Sequence, residues 1–318
     1  MSLFNSYDGT SLSYDVIGEG PPLVCIPGGP GRAAEYLGDL GGLSRSHQLI
    51  RLDLRGVGRS SSELDPAKLR ADRLVFDVEA LRLHLGLDRM NLLAHSAGAI
   101  LGMLYAARFP ENLASLLLIT PGMAAIGIHR SLDDRPTPGS QPGDVPTKDA
   151  VGALVKLMQG DLSAETFLAS RPCLYARWDD AAQTNAGIGF SEGFMPARVG
   201  YGRDLTLDAA STAAELHELT SPVLLYVGEL DPLVTPAMAR EADAIFHDST
   251  MIVQPGALHF PWVDDGDAFS ESVRAFLARS GIPIRPDRTQ ATRRGRVRSH
   301  LSPGGSSSRA NARCVPQP

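Results

Sequence analysis

Short apolar runs alternate along this chain with longer stretches in which apolar residues recur every three or four positions. Residues 10–17 alternate apolar and polar like a half-exposed strand, whereas 22–26, 48–53, 90–94 and 113–120 are short, nearly continuous apolar runs of the kind that form buried parallel strands. Helical spacing marks 32–40, 66–85 and 97–109. In the second of these, Leu69, Leu74, Val78, Leu81 and Leu85 share one face. The alternation resumes with a strand at 223–227, a helix over 236–246, a strand at 250–253 and a last helix over 267–278. Strand followed by crossover helix, repeated, predicts an α/β architecture: a mostly parallel sheet flanked by helices on both faces.

Between the two halves lies 122–219. It contains the passage Arg135-Pro136-Thr137-Pro138-Gly139-Ser140-Gln141-Pro142-Gly143 and amphipathic segments at 149–158 and 163–169. This predicts an inserted, mainly helical cap, with a mobile loop inside 130–147. The expected division is a core of 1–121 with 220–281, a cap of 122–219 and a tail of 282–318. The tail is arginine, serine, glycine and proline with almost no large apolar residue, so it is expected to be disordered.

Charge refines this picture. The tail holds eight arginines and one aspartate, a net +7, which leaves −13 for the rest of a chain whose formal charge is −6. A body that acidic is a poor partner for nucleic acid, whose binding rests on lysine and arginine neutralising phosphates. Apolar residues at 43% and charged residues at 21% suit a compact, enzyme-sized protein. The start lacks a basic segment followed by an apolar one, and no apolar run approaches 18 residues, so neither export nor a membrane span is expected. Cys25, Cys173 and Cys314 are odd in number, far apart and without a C-x-x-C pair; they suggest neither a disulfide framework nor a metal site and fit a cytoplasmic location.

The candidate chemistry begins at Ala94-His95-Ser96-Ala97-Gly98, placed directly after a strand-like run and before a helix-like one. A serine there stands at a tight strand-to-helix turn, the position of a nucleophile elbow; isolated from that context, the string reads equally as a helix cap. Ala94 occupies a position where the G-x-S-x-G pattern has glycine, at the expense of one methyl. A serine hydroxyl needs a base within hydrogen-bond reach. Of eight histidines, His47, His84, His129, His217 and His247 fall in predicted helices, strand edges or the cap, His300 in the tail, and His95 beside the serine as a wall of the pocket. His259 alone sits in a loop after the last strand and before the last helix, where an open α/β sheet builds its crevice. Asp231, just past a strand end, is the carboxylate expected to orient that imidazole, with Glu229 its nearest rival. The order Ser96, Asp231, His259 suits this arrangement. Pro27-Gly28-Gly29-Pro30-Gly31 ends another strand, and the Gly29 and Ala97 N–H groups are candidate oxyanion donors. Further along, 53–60 resembles a dinucleotide turn only loosely, because helical periodicity waits until Pro66; it reads as a structural loop in which Asp53 and Arg55 brace the pocket floor.

These residues resemble the α/β-hydrolase superfamily and, within it, the proline iminopeptidases. Pro27-Gly28-Gly29-Pro30-Gly31 is similar to that family's His-Gly-Gly-Pro-Gly, and Asp53-Leu54-Arg55-Gly56-Val57-Gly58-Arg59-Ser60 matches its Asp-x-Arg-Gly-x-Gly-x-Ser. The resemblance covers about residues 5–280 and implies the α/β-hydrolase fold and serine hydrolase activity. The chain departs from it at Pro27 and at the nucleophile, where iminopeptidases resemble Gly-Gly-Ser-Trp-Gly. Such enzymes hold the substrate's free amine with acidic cap residues, for which Asp179, Asp180 and Glu192 are the candidates here. Gly28, His95, Trp178 and Trp262 are the expected substrate contacts. With Phe190, Phe194 and Tyr201 the tryptophans line an apolar acyl pocket or simply pack the core. The expected reaction is cleavage of a carboxylic ester or small amide of a small-molecule substrate through an acyl-enzyme, with no metal or organic cofactor. Hydrolysis of a carbon–carbon bond or lactone by the same three residues is the enzymatic alternative, and a non-catalytic ligand-binding member of the fold the other.

Overall fold

The computed structural model describes residues 1–60, 65–130, 146–161, 163–189, 194–202 and 207–279. The loop expected within 130–147 falls mostly outside the described residues, and the tail, Phe190, Glu192, His300, Cys314 and the Phe194 side chain fall wholly outside them. The described residues belong to a single compact unit, Met1–Ile282.

Eight strands among the described residues make one sheet: β1 (Ser2–Asn5), β2 (Ser11–Ile17), β3 (Pro22–Ile26), β4 (Gln48–Leu52), β5 (Met90–His95), β6 (Leu113–Ile119), β7 (Val223–Gly228) and β8 (Ser249–Gln254). Their spatial order is β1-β2-β4-β3-β5-β6-β7-β8. The first two pairings are antiparallel and the other five parallel. The helices, in chain order, are α1 (Ala71–His84), α2 (Gly98–Arg108), α3 (Lys148–Met158), α4 (Ala164–Ser170), α5 (Asp180–Gly187), α6 (Phe194–Gly202), α7 (Ala209–His217), α8 (Pro236–Asp243), α9 (Pro261–Asp264) and α10 (Gly266–Arg279).

The two-residue period of a strand divides the core in two. Val24, Ile26, Leu92, Ala94, Leu116, Leu118, Leu225 and Val227 point to one face, where they pack with residues of α1, α2 and α8. Leu23, Cys25, Leu93, Leu117, Ile119, Leu224 and Tyr226 point to the other, against Phe269, Val273 and Phe276 of α10. Continuous apolar runs are therefore what a sheet covered on both faces requires. Leu216 of α7 and the following Leu219 join the first cluster, so this part of the stretch expected as a cap packs with the sheet body. Among the described residues no helix is long and apolar enough to cross a membrane.

Two local expectations are corrected. Residues 32–40 form no α-helix: a short 3-10 turn at Ala34–Leu37 gives way to positive φ at Gly38, Leu40, Gly41 and Gly42, which right-handed helix geometry forbids. The Ala34 N–H donates to the Asp53 carboxylate at 2.8 Å, whose other oxygen accepts from Arg59 N–H at 3.1 Å. Arg55, in turn, does not brace the pocket floor. Its guanidinium forks onto Asp77 of α1 at 2.7 Å through both Nε and Nη2 and onto Asp8 at 2.8 and 2.9 Å, with Arg55 and Asp77 both fully buried. It fastens the β1–β2 turn to α1. β1 has a single buried residue, Phe4, too little apolar signal to read from sequence.

Candidate active site

Sheet order decides where a crevice can form. The chain leaves β3 for β4 on one side and returns to β5 on the other, so the carboxyl ends of neighbouring β3 and β5 form a topological switch point. The glycine loop 27–31 begins at one of these ends and Ser96 stands at the other.

Ser96 has φ of 53°, left-handed backbone that a side chain normally avoids, held by Ser96 N–H to Ile119 O at 2.9 Å and Gly122 N–H to Ser96 O at 2.8 Å. The turn is crowded. A methyl on Gly28 would lie 2.7 Å from the His95 carbonyl oxygen and 2.8 Å from Ser96 Cβ, so only glycine lets the loop after β3 approach the serine. The extra methyl of Ala94 is met by Gly102 of α2, where a methyl would come within 3.0 Å of it.

The structure brings Ser96, His259 and Asp231 together. Ser96 Oγ lies 2.9 Å from His259 Nε2, and His259 Nδ1 lies 2.8 Å from Asp231 Oδ2. A carboxylate accepts, so Nδ1 carries the proton and Nε2 is left to accept from the serine hydroxyl. Asp231 is buried, and its other oxygen accepts from Leu233 and Val234 N–H at 2.8 and 3.2 Å. The rival Glu229 accepts instead from Gly256 N–H at 2.9 Å. Gly29 and Ala97 face the same cavity as Ser96, and among the described residues neither N–H donates to another protein group.

His95 is buried and plays a part the sequence does not reveal. Its Nε2 faces the His259 carbonyl at 3.1 Å and must donate; its Nδ1 therefore accepts from the Tyr36 hydroxyl at 2.7 Å, and Tyr36 Oη accepts from Gly28 N–H at 2.7 Å. Burial, then the neighbouring His259, hold the His95 pKa well below the usual histidine value, so the ring is neutral as this pattern needs. One saturated chain of donors thus links the glycine loop, the elbow and the His259 loop. Tyr36→Phe leaves the Gly28 N–H and His95 Nδ1 buried without that partner, and should cost about 1–3 kcal/mol in a denaturant titration together with a lower turnover.

A half-buried carboxylate holds the histidine loop. Asp264 accepts from Leu258 N–H at 2.7 Å and from Ala176 N–H at 2.9 Å, and burial pushes its pKa up to about 6. A folded-state pKa above the unfolded carboxylate value favours folding most in acid, and the contribution is lost as pH rises through about 6. Asp264→Asn should therefore flatten the dependence of stability on pH between about 4 and 6, measured by denaturation across that range.

The cavity above Ser96 is about 300 Å³. His95, Gly29, Ala97, Ser96 and His259 line it, with Ile100 of α2, Leu157 and Met158 of α3, Phe167 of α4, Arg198 of α6 and Met238 of α8. Gly28, Trp178 and Trp262, expected as substrate contacts, do not. The Gly28 N–H is taken by Tyr36, Trp262 packs edge-on behind His95 with ring centroids 4.8 Å apart, and Trp178 lies beside Tyr175 at 5.7 Å. Tyr201 is buried too, donating to the Ala97 carbonyl at 2.8 Å. Asp179 caps α5 by accepting from Ala182 N–H and, like Asp180, is exposed and off the cavity. Sequence reasoning missed Tyr36 and Arg198; a lone arginine within the apolar stretch 194–202 was the available signal for the second.

Comparison with known proteins agrees with this fold. A family model described as the alpha/beta hydrolase fold matches residues 21–151. The chain is 26% identical over 289 residues to a proline iminopeptidase of Clostridioides difficile, covering 85% of this chain and 96% of that one. Among solved structures it is similar to a thermophilic esterase from Thermogutta terrifontis, with a TM-score of 0.67 at 18% identity, covering 88% of this chain and 99% of the other. An Exiguobacterium antarcticum esterase gives 0.66 at 19% identity, covering 87% and 99%. The chain is an α/β-hydrolase-fold enzyme, a hydrolase that resembles the proline iminopeptidases.

Proposed function

We propose that the chain is a serine hydrolase that cleaves a carboxylic ester or small amide through an acyl-enzyme. The observation that carries this reading is the unbroken line from Asp231 Oδ2 through both nitrogens of His259 to Ser96 Oγ, at 2.8 and 2.9 Å, opening on a cavity. Ser96 Oγ attacks the carbonyl carbon while its proton passes to His259 Nε2, and Asp231 stabilises the imidazolium that forms. The carbonyl oxygen becomes an oxyanion, held by the Gly29 and Ala97 N–H groups. Collapse expels the alcohol or amine, which takes the proton from Nε2. Water then gives a proton to the same nitrogen as it attacks the acyl carbon, and the bond to Ser96 Oγ breaks as that oxygen takes the proton back, freeing the acid and the serine.

Within 122–219, α3, α4 and α6 are read as the cap, since they supply the cavity wall facing Ser96. Labelling with a fluorophosphonate probe, followed by peptide mapping, tests the reading. The expected adduct is on Ser96, and it disappears in Ser96→Ala. A folded sample that stays unlabelled would favour a non-catalytic ligand-binding protein.

A further inference from the structure

His259 stands in the loop 255–260 between β8 and α9, where neither a strand ladder nor a helical turn fixes its backbone. Its N–H donates to the Leu174 carbonyl at 3.1 Å. Its carbonyl accepts from two side chains, His95 Nε2 and Thr120 Oγ1, each at 3.1 Å, so both lone pairs of that oxygen are used. His95 belongs to the donor chain that runs back to Gly28. Thr120 comes from elsewhere: it lies just beyond the carboxyl end of β6, fully buried, and its own N–H donates to the Tyr226 carbonyl of β7 at 2.7 Å.

The Thr120 backbone is an outlier. Its φ is 39°, in the left-handed region that β-branched residues avoid because Cβ crowds the carbonyl. Strain of this kind persists only where surrounding bonds over-determine it, and it gathers at sites of function. The same turn also holds the nucleophile. Ser96 N–H donates to the Ile119 carbonyl at 2.9 Å, and Gly122 N–H donates to the Ser96 carbonyl at 2.8 Å. Residues 119 and 122 thus bracket Ser96, while Thr120 between them reaches His259. One turn at the end of a buried strand touches both members of the pair whose 2.9 Å separation governs proton transfer.

We propose that Thr120 is a positioning residue for that transfer: its hydroxyl sets the His259 loop against the β6 end that carries Ser96, and so fixes the distance between nucleophile and base. This rests on the serine hydrolase reading and adds to it a residue that touches neither the reacting atoms nor the substrate. Without the hydroxyl the His259 carbonyl keeps His95 as its side-chain donor, and the loop gains freedom to carry Nε2 away from Ser96 Oγ. A misplacement of about 1 Å at a reacting pair costs on the order of a hundredfold in rate.

Three substitutions test it. Thr120→Val keeps the β-branch, and with it the backbone strain, while exchanging the hydroxyl for a methyl; Thr120→Ser keeps the hydroxyl. Thr120→Ala removes the hydroxyl without setting a methyl against the His259 carbonyl, should the valine variant not fold. A fluorophosphonate probe reads the activation of Ser96 without requiring the natural substrate. Its inactivation rate at saturation should fall at least about tenfold in Thr120→Val and Thr120→Ala, with the half-saturating probe concentration within about twofold of wild type. Thr120→Ser should stay within about threefold of the wild-type rate. In proton NMR, the Nδ1 proton shared by His259 and Asp231 should resonate far downfield in the wild type and in Thr120→Ser, and should shift or broaden in the other two. A rate unchanged in a folded variant lacking the hydroxyl, a serine variant as slow as alanine, or one identical downfield resonance throughout would overturn the proposal. Each of those results, with the wild type labelled at Ser96, spares the serine reading. A folded wild type that the probe leaves unlabelled sinks that reading and this inference with it.

Discussion

Ser96→Ala should lower kcat on an activated ester by about a millionfold, the scale on which removing a serine nucleophile acts, and should leave the fold in place. Among the described residues nothing else at the switch point offers an equivalent attacking oxygen held 2.9 Å from His259 Nε2. The same position carries a second, independent expectation. At φ of 53° a Cβ costs roughly 1–2 kcal/mol, and alanine keeps it. Ser96→Gly removes that strain but gives the unfolded chain more freedom, a loss of roughly 0.5–1 kcal/mol. Ser96→Gly should therefore be equally inactive yet up to about 1.5 kcal/mol more stable than Ser96→Ala, measured by chemical denaturation. An alanine variant that keeps full turnover would remove Ser96 from the mechanism; a glycine variant less stable than alanine would remove the strain argument.

The strand-to-helix series was legible because a sheet buried on both faces writes itself as short apolar runs, and β3 to β8 all lie within a few residues of the runs, while β2 follows an alternating pattern. From that series the positions of Ser96, Asp231 and His259 followed, since each lies in the turn or loop beyond the carboxyl end of a strand. Residues 32–40 misled because their apolar spacing is helical, while the deciding facts are a carboxylate 19 positions away taking the Ala34 N–H and a set of glycines at positive φ. Tyr36 was invisible for the same reason: its hydroxyl matters only because folding brings Gly28 and His95 to it. The tryptophans were overvalued as pocket residues. Trp262 is two positions from Phe260, which does line the cavity, yet it points behind His95, and the four-residue α9 is too short to show a periodicity from which such a direction can be read. Arg198 shows the limit most plainly, since an arginine in a half-apolar helix looks like surface until a partner surface covers it.

The largest expected effect on stability lies far from the serine, at Arg55. Removing the guanidinium with Arg55→Met leaves the Asp77 carboxylate fully buried with only the Ser6 hydroxyl among its present partners, and should cost about 3–5 kcal/mol. Asp8, at 22% side-chain exposure, can turn to water and adds little to that loss. The deficit should depend on pH with a definite sign. Burial already raises the Asp77 pKa despite Arg55, and without the cation it rises further, so the variant gains relative stability as pH falls from about 7 toward 4 and the buried carboxyl becomes neutral. The double change Arg55→Met with Asp77→Leu removes both charges and should recover most of the loss, because a buried pair contributes little net stability while a single buried charge costs much. Equilibrium denaturation of the wild type, both single variants and the double variant at pH 7 and pH 5 closes the cycle. If Arg55→Met loses less than about 1 kcal/mol, or the double variant is no more stable than Arg55→Met, the site gains nothing from neutralising Asp77, and the motif Asp53-Leu54-Arg55-Gly56 serves some other purpose than anchoring the β1–β2 turn to α1.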